Sequence, residues 1–153
     1  MKQGKVVAAF PGMGKTFVAA KYKNTADLDM GEYRWVYDGD PALPYEQRKA
    51  MRPFAQNPQW PQNYVDAVVL AKQTHDIVMV SFCPEIDYLI DCNFVPSKTA
   101  WSVLESRFRA RNNPERFIEI TKARFENNRG VGIEIADDEF LENALKRHKI
   151  LEG

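Results

Sequence analysis

The hydrophobic and polar positions of this chain alternate between short apolar runs and longer stretches with helical spacing. Continuous apolar runs at residues 5–10 and 76–82 predict strands that are buried on both faces. Shorter strands are predicted at 25–29, 93–95 and 131–135. Helices are predicted over 15–22, 61–73, 84–90, 98–110 and 115–126, with a last one after 136–138. This alternation predicts an α/β fold of three layers, in which helices cover both faces of a mostly five-stranded parallel sheet.

Composition narrows the class of protein. The 153 residues suit one domain, 1–153, and the 21 basic and 21 acidic side chains give no net charge. A neutral chain argues against nucleic acid as a partner. Cys83 and Cys92 have neither metal-ligand spacing nor a disulfide pattern, which favours a reduced, cytoplasmic location. No apolar run is long enough for a membrane span, and the chain enters its first strand too early for a signal peptide.

A glycine-containing turn joins the first predicted strand to the first predicted helix. It reads Pro11-Gly12-Met13-Gly14-Lys15-Thr16 and matches most of the motif G-x-x-x-x-G-K-[ST], whose first glycine falls on Ala9. Loop amides and the start of a helix favour an anion at such a turn. Lys15 supplies a cation for terminal phosphates and Thr16 a hydroxyl for Mg²⁺.

Two carboxylates follow the second predicted strand. Asp27 and Asp29 lie on the same side of that strand, because side chains alternate along it. Ligands of open α/β sheets bind at the carboxyl ends of the strands, so both aspartates are candidates to face the glycine turn. A solvated strand end or a helix cap is the alternative.

Residues 30–63 have the least regular pattern. This stretch contains Arg34, Trp35, Arg52 and Trp60, and part of it, 38–63, is predicted to be a substrate-binding insertion. Aromatic rings stack on bases and guanidinium groups pair with phosphates, so this composition suits a nucleotide pocket. Alternatively, the aromatic side chains only cover the edge of the core.

Three arginines lie close together near the end of the helix predicted at 98–110, for which Ser97 is the expected cap. Arg107 and Arg111 share a helix face and Arg109 points elsewhere. Arginines clamp the charge that develops in phosphoryl transfer, so at least one of the three is a candidate functional residue. A solvated helix face is the alternative.

The turn from Phe10 to Thr16 resembles the phosphate loop of small nucleoside monophosphate kinases. The Asp27-Leu28-Asp29 segment, the Trp60-Pro61-x-x-Tyr64 entry to a helix and the arginine-rich segment resemble the small deoxynucleoside monophosphate kinases of bacterial viruses. The resemblance implies a P-loop NTPase fold and transfer of the γ-phosphoryl group of ATP to a (deoxy)nucleoside monophosphate.

The resemblance also implies roles for residues. Residues 98–114 would form a short lid that carries Arg107, Arg109 and Arg111. Lys15 and these lid arginines would be catalytic, Thr16 and Asp29 would bind Mg²⁺, and Asp137 would lie near the adenine of ATP. The donor phosphates would be held by Pro11, Gly12, Met13, Gly14, Lys15 and Thr16. The acceptor would be held by Asp27, Asp29, Arg34, Trp35, Arg52, Trp60 and Tyr64.

Two other functions fit the same motifs. A kinase for a nucleoside, or for a small polyol as in shikimate-kinase-like enzymes, would keep the loop and change the acceptor. A nucleotide-binding regulatory module would bind without transfer. The acceptor base, the choice of ribose or deoxyribose and the oligomeric state remain open.

Overall fold

The computed structural model describes residues 3–37, 40, 42–48, 53–128 and 131–151. Within these residues the strands are β1 Lys5–Ala9, β2 Thr25–Leu28, β3 Trp35–Tyr37, β4 Pro53–Gln56, β5 Ile77–Val80, β6 Cys92–Pro96 and β7 Ile133–Ile135. The helices are α1 Lys15–Lys21, α2 Met30–Arg34, α3 Tyr45–Arg48, α4 Gln62–Thr74, α5 Trp101–Ala110, α6 Glu115–Asn128 and α7 Leu141–Arg147, and a 3₁₀ helix covers Pro84–Leu89.

Five strands form the main sheet, in the order β2-β5-β1-β6-β7. Every neighbouring pair is parallel, which confirms the predicted α/β fold with a five-stranded parallel sheet. Strand β1 lies at the centre, with β2 and β5 on one side and β6 and β7 on the other. The strand order therefore changes direction at β1, and ligands of open α/β sheets bind at the carboxyl ends of strands beside such a point.

The core consists of two apolar layers, one on each face of the sheet. On one face, Val7 and Ala9 of β1 pack with residues of α1, α5, α6 and α7. On the other, Val6 and Ala8 pack with residues of α4 and the 3₁₀ helix. Both faces of β1 are covered, which explains why its sequence is apolar without alternation.

The segment predicted to be irregular contains short regular elements. Helices α2 and α3 lie within it, and β3 and β4 form a separate antiparallel pair. Elements of three to five residues are too short to show a period in the sequence.

The start of α5 also differs from the prediction. Ala100, rather than Ser97, occupies the N-cap position and makes no side-chain cap. None of the described helices has the length and apolar character that crossing a membrane requires.

Candidate active site

The loop from Phe10 to Gly14 leaves the central strand β1 and leads into α1. Gly12 and Gly14 have φ angles of 84° and 100°, in the left-handed region that glycine adopts without strain. Space limits Gly12 further, since a Cβ atom there would lie 2.9 Å from Cε1 of Phe108. Helix α5 thus packs directly against the loop, and both glycines are required by its conformation.

Met13 anchors the loop from behind. Its side chain is 1% exposed, and its Sδ atom accepts a hydrogen bond from the backbone N–H of Phe10 at 3.3 Å. Its carbonyl oxygen accepts the N–H of Leu141 at 2.8 Å, which ties the loop to α7. The Met13 side chain is therefore part of the core. Pro11, two residues earlier, is partly exposed on the loop.

Lys15 lies among several charged groups. Its Nζ donates a hydrogen bond to the carbonyl oxygen of Ala9 at 3.1 Å. Burial lowers the pKa of Lys15, the carboxylates of Asp27 and Asp29 act in the opposite direction, and the nearby cations Arg124 and Arg111 lower it further. The structure therefore brings both carboxylates and two guanidinium groups into the neighbourhood of this lysine.

The hydroxyl of Thr16 donates a hydrogen bond to Oδ2 of Asp27 at 3.0 Å. Oδ1 of Asp29, the expected partner, instead accepts the N–H of Gly31 at 3.0 Å and caps α2. The difference has a local cause: Asp27 is within strand β2, whereas Asp29 is at the first position where the backbone turns into the helix.

A hydroxyl and a carboxylate oxygen are the kind of ligand that Mg²⁺ prefers, so the pair of Thr16 and Asp27 fits this ion. Among the residues that the structure describes, no group of three or more His, Cys, Asp or Glu side chains could hold a metal. Such a pair suits an ion that keeps waters and takes its other ligands from substrate phosphates.

Two of the three lid arginines lie near the loop. Nη1 of Arg107 donates to the carbonyl oxygen of Gly12 at 2.9 Å, and its guanidinium lies 3.9 Å from the centre of the Phe140 ring. The guanidinium of Arg111 lies 5.3 Å from the Phe108 ring centre. Burial lowers the pKa of both groups, with Asp138 opposing this effect at Arg107.

Arg109 is on another face of α5, as its position in the helix predicts. Its guanidinium donates to Glu105 at 3.2 Å and to both carboxylate oxygens of Glu115 at 2.9 and 3.0 Å. The side chain is half exposed. Arg109 therefore joins α5 to the start of α6 at the surface and is not brought to the loop.

Arg124 is a site residue that the sequence analysis missed. Its Nη2 donates to the carbonyl oxygen of Phe82, just after β5, and its guanidinium lies 5.3 Å from the Phe10 ring centre. Burial lowers its pKa, with Cys83 opposing. A signal was present in the sequence: Arg124 is a cation next to Phe125 and three residues after Thr121, on the apolar face of α6.

Arg34 lies close to two indole rings. Its guanidinium is 5.0 Å from the Trp35 ring centre and 5.5 Å from that of Trp60. Its Nε atom is buried and has no hydrogen-bond partner among the described residues. Trp60 in turn stacks on Tyr64 at 5.5 Å with an interplanar angle of 25°.

Tyr64 is completely buried, and its hydroxyl donates to the carbonyl oxygen of Leu28 at 2.6 Å. The structure therefore brings Arg34, Trp35, Trp60 and Tyr64 together, with Tyr64 as a core residue that supports the ring of Trp60. Arg52, the remaining predicted acceptor residue, lies outside the described residues.

Asp137 joins the loops that follow β6 and β7. Its carboxylate accepts hydrogen bonds from the hydroxyls of Ser97 and Thr99, those from Thr99 at 2.9 and 2.8 Å. These bonds lower the pKa of Asp137, the one from Ser97 most. The hydroxyl expected to cap α5 is thus used here. Phe140, three residues further, would be 3.4 Å from a Cβ atom at Gly14, so this segment lies beside the loop from Phe10 to Gly14.

Neither a protein-family model nor a curated protein sequence matches this chain significantly.

Proposed function

We propose that this protein is a P-loop kinase that transfers the γ-phosphoryl group of ATP to a nucleoside monophosphate. One observation carries the proposal: the cations Lys15, Arg107, Arg111 and Arg124 gather near one loop at the carboxyl end of β1, together with the Thr16–Asp27 pair. Loops with left-handed glycines can form concave sites for anions.

The charge balance of this cluster favours a phosphate ligand. Among the described residues, no carboxylate makes an ion pair with Arg107, Arg111 or Arg124. Burial lowers the pKa values of all three, because a partly desolvated cation lacks a full counter-charge. A polyphosphate would supply that charge, and the guanidinium groups would bind its oxygens bidentately.

The transfer itself requires mainly positioning and charge neutralisation. The bond between the γ-phosphorus and the oxygen that bridges to the β-phosphate breaks, and an acceptor phosphate oxygen bonds to the γ-phosphorus, which leaves ADP and a nucleoside diphosphate. The attacking oxygen is already ionised at neutral pH, so no general base is needed. Lys15 and Arg107 would stabilise the charge on the transferred group.

Mg²⁺ would neutralise part of the phosphate charge when bound. Thr16 and Asp27 would hold it from the protein side, in place of the expected pair of Thr16 and Asp29. On the acceptor side, Arg34 would bind the monophosphate, since its buried Nε has no hydrogen-bond partner among the described residues. The two indole rings close to it would fix its orientation and offer stacking surfaces.

A coupled assay of ADP release tests the proposal, with ATP, Mg²⁺ and separate acceptors: ribo- and deoxyribonucleoside monophosphates, nucleosides and shikimate. We expect turnover with one or more monophosphates. Turnover with nucleosides or shikimate alone would show that the protein is a kinase for one of those acceptors instead. ATP binding without any turnover would favour a regulatory module.

Variants connect the activity to the loop. Thr16→Val should raise the Mg²⁺ concentration needed for half-maximal activity, whereas Thr16→Ser keeps the hydroxyl and should behave like the wild type. Because Thr16 is exposed, neither change should alter stability by more than about 0.5 kcal/mol. Equal Mg²⁺ dependence in both variants would contradict the assignment of Thr16.

A further inference from the structure

Glu85 lies in the segment that follows β5. Oε2 of Glu85 is buried and makes no hydrogen bond with any of the described residues. Burial of a polar atom without a hydrogen bond is costly, so such an atom in a folded protein requires an explanation. Glu85 is in the first turn of the 3₁₀ helix that follows β5.

The sheet places Glu85 at the edge where the substrates would bind. Strands β2 and β5 are parallel neighbours with Leu28 opposite Val80, so both end at the same edge. The residues after β2 include Asp29, and those after β5 include the 3₁₀ helix. The segment that contains Glu85 therefore begins at the same edge of the sheet as the segment that leads into α2 and Arg34.

Cys83 lies near both Glu85 and Tyr64. Burial first, and then the negative charge of Glu85, raise the pKa of Cys83 to about 11. Cys83 in turn lies close enough to Tyr64 to contribute to the raised pKa of that phenol, after burial. Tyr64, Cys83 and Ile86 belong to one buried apolar cluster, and Trp60 packs against that cluster, so Glu85 lies in the chain between two of its members.

We propose that Glu85 accepts a hydrogen bond from the exocyclic amino group of the acceptor base, which makes this protein a kinase for monophosphates of adenine, cytosine or guanine rather than of uracil or thymine. The inference rests on the proposed function. A carboxylate only accepts hydrogen bonds, so it pairs with an amino group and opposes a carbonyl oxygen.

One ligand could satisfy both Arg34 and Glu85. Each has one buried side-chain atom that lacks a hydrogen-bond partner among the described residues, and the two side chains carry opposite charges. A nucleoside monophosphate with an amino-bearing base offers the complement of both: an anionic phosphate for the guanidinium and an N–H donor for the carboxylate.

The experiment compares acceptors that differ at the amino position: CMP with UMP, and GMP and AMP each with IMP, in ribo and deoxyribo forms. The ratio of kcat/KM within each pair is measured at saturating ATP and Mg²⁺. In at least one pair we expect the wild-type protein to prefer the amino-bearing base by about 100-fold or more, because a site built to bond a donor strongly rejects an analogue without it. In Glu85→Gln the ratio should fall to below about tenfold, because the amide can donate to a carbonyl.

Asp87→Asn is the matched control, since it removes an exposed carboxylate from the same 3₁₀ helix and should leave the ratio unchanged. The KM for ATP should stay constant in both variants. Their melting temperatures should stay close to that of the wild type, because Asp87 is exposed and the amide of Glu85→Gln keeps an oxygen that can accept the hydrogen bond of the Cys83 thiol.

The outcomes separate the two proposals. Wild-type turnover with monophosphates that favours uracil or thymine would overturn the role of Glu85, even if Glu85→Gln does not fold. So would a preference that Glu85→Gln leaves unchanged. Absence of turnover with every monophosphate would overturn the proposed function itself.

Discussion

Arg107 of α5 donates a hydrogen bond from Nη1 to the carbonyl oxygen of Gly12, over 2.9 Å, and so connects α5 directly to the loop that follows β1. The guanidinium also lies on the ring of Phe140, which precedes α7. Two segments distant in sequence therefore meet at Arg107, beside the place where a triphosphate would bind.

Arg107 and Arg109 should differ strongly in their effect on activity. Arg107→Ala should lower kcat by about 100-fold or more, because it removes a guanidinium positioned at the loop. Arg109→Ala should stay within about twofold of the wild type, since Glu105 and Glu115 already hold this side chain at the surface. Steady-state ADP release measures both, and similar losses in the two variants would contradict the placement of the lid arginines.

Lys15→Met should abolish turnover and yet stabilise the fold at neutral pH. Burial lowers the pKa of Lys15 from 10.5, so the folded state disfavours the charged form. The folded protein then binds fewer protons than the unfolded chain between the lowered pKa and 10.5, and stability rises with pH through that window.

Urea unfolding near pH 7 and about pH 10 checks the sign of this dependence. The stability advantage of Lys15→Met over the wild type should be full at the lower pH and smaller at the higher one. Lys23→Met removes an exposed lysine and is the control. An advantage that grows with pH would contradict the interpretation.

Gly12→Ala should destabilise the protein more than Gly14→Ala. Both positions have positive φ, which costs about 1–2 kcal/mol for a residue with a Cβ atom. At Gly12 the Cβ would also lie 2.9 Å from the Phe108 ring, and such overpacking costs a further 1–3 kcal/mol or so. At Gly14 the nearest atom is 3.4 Å away. Chemical denaturation measures the two free energies of unfolding. Equal decreases in the two variants would mean that Phe108 and α5 can move away from a Cβ atom at residue 12 without loss of stability.

Tyr64→Phe should cost about 1–3 kcal/mol of stability, because the carbonyl oxygen of Leu28 loses a buried donor at 2.6 Å. Tyr88→Phe is the control: Tyr88 is 72% exposed, and its substitution should change the free energy of unfolding by no more than about 0.5 kcal/mol. If the two variants unfold at the same urea concentration, the hydrogen bond to Leu28 contributes nothing.

Local patterns predicted most of the main elements. The uninterrupted apolar run of β1 reflects burial on both faces of the sheet. A strand covered by helices on both faces has no polar side, so its sequence reveals this burial directly. The four-residue spacing of Arg107 and Arg111 similarly predicts that Arg109 lies on another face of the helix, as it does in the structure. The separate β3–β4 pair was missed, because three or four residues are too few to reveal a period.

Pairing of side chains across elements was not predictable in the same way. Asp27 and Asp29 have the same chemistry and were predicted to lie on the same side of the strand, yet only Asp27 receives the Thr16 hydroxyl, because α2 begins where Asp29 can cap it. Serine is a common helix N-cap, but the hydroxyl of Ser97 donates a hydrogen bond to Asp137, forty positions away in sequence. When several side chains could form the same hydrogen bond, the one that forms it is the one that the fold brings within reach, and the sequence does not give that distance.

The sequence by itself determined the glycine loop, its lysine and threonine, and the parallel sheet around them, since each follows from short-range sterics and from apolar periodicity. Only the tertiary structure decided that Arg124 lies near the loop and Arg109 does not, and that one oxygen of Glu85 has no hydrogen-bond partner among the described residues. The physical reason is that charges and hydrogen bonds act over a few ångströms, and which groups come that close is set by how α5, α6 and the 3₁₀ helix pack on the sheet.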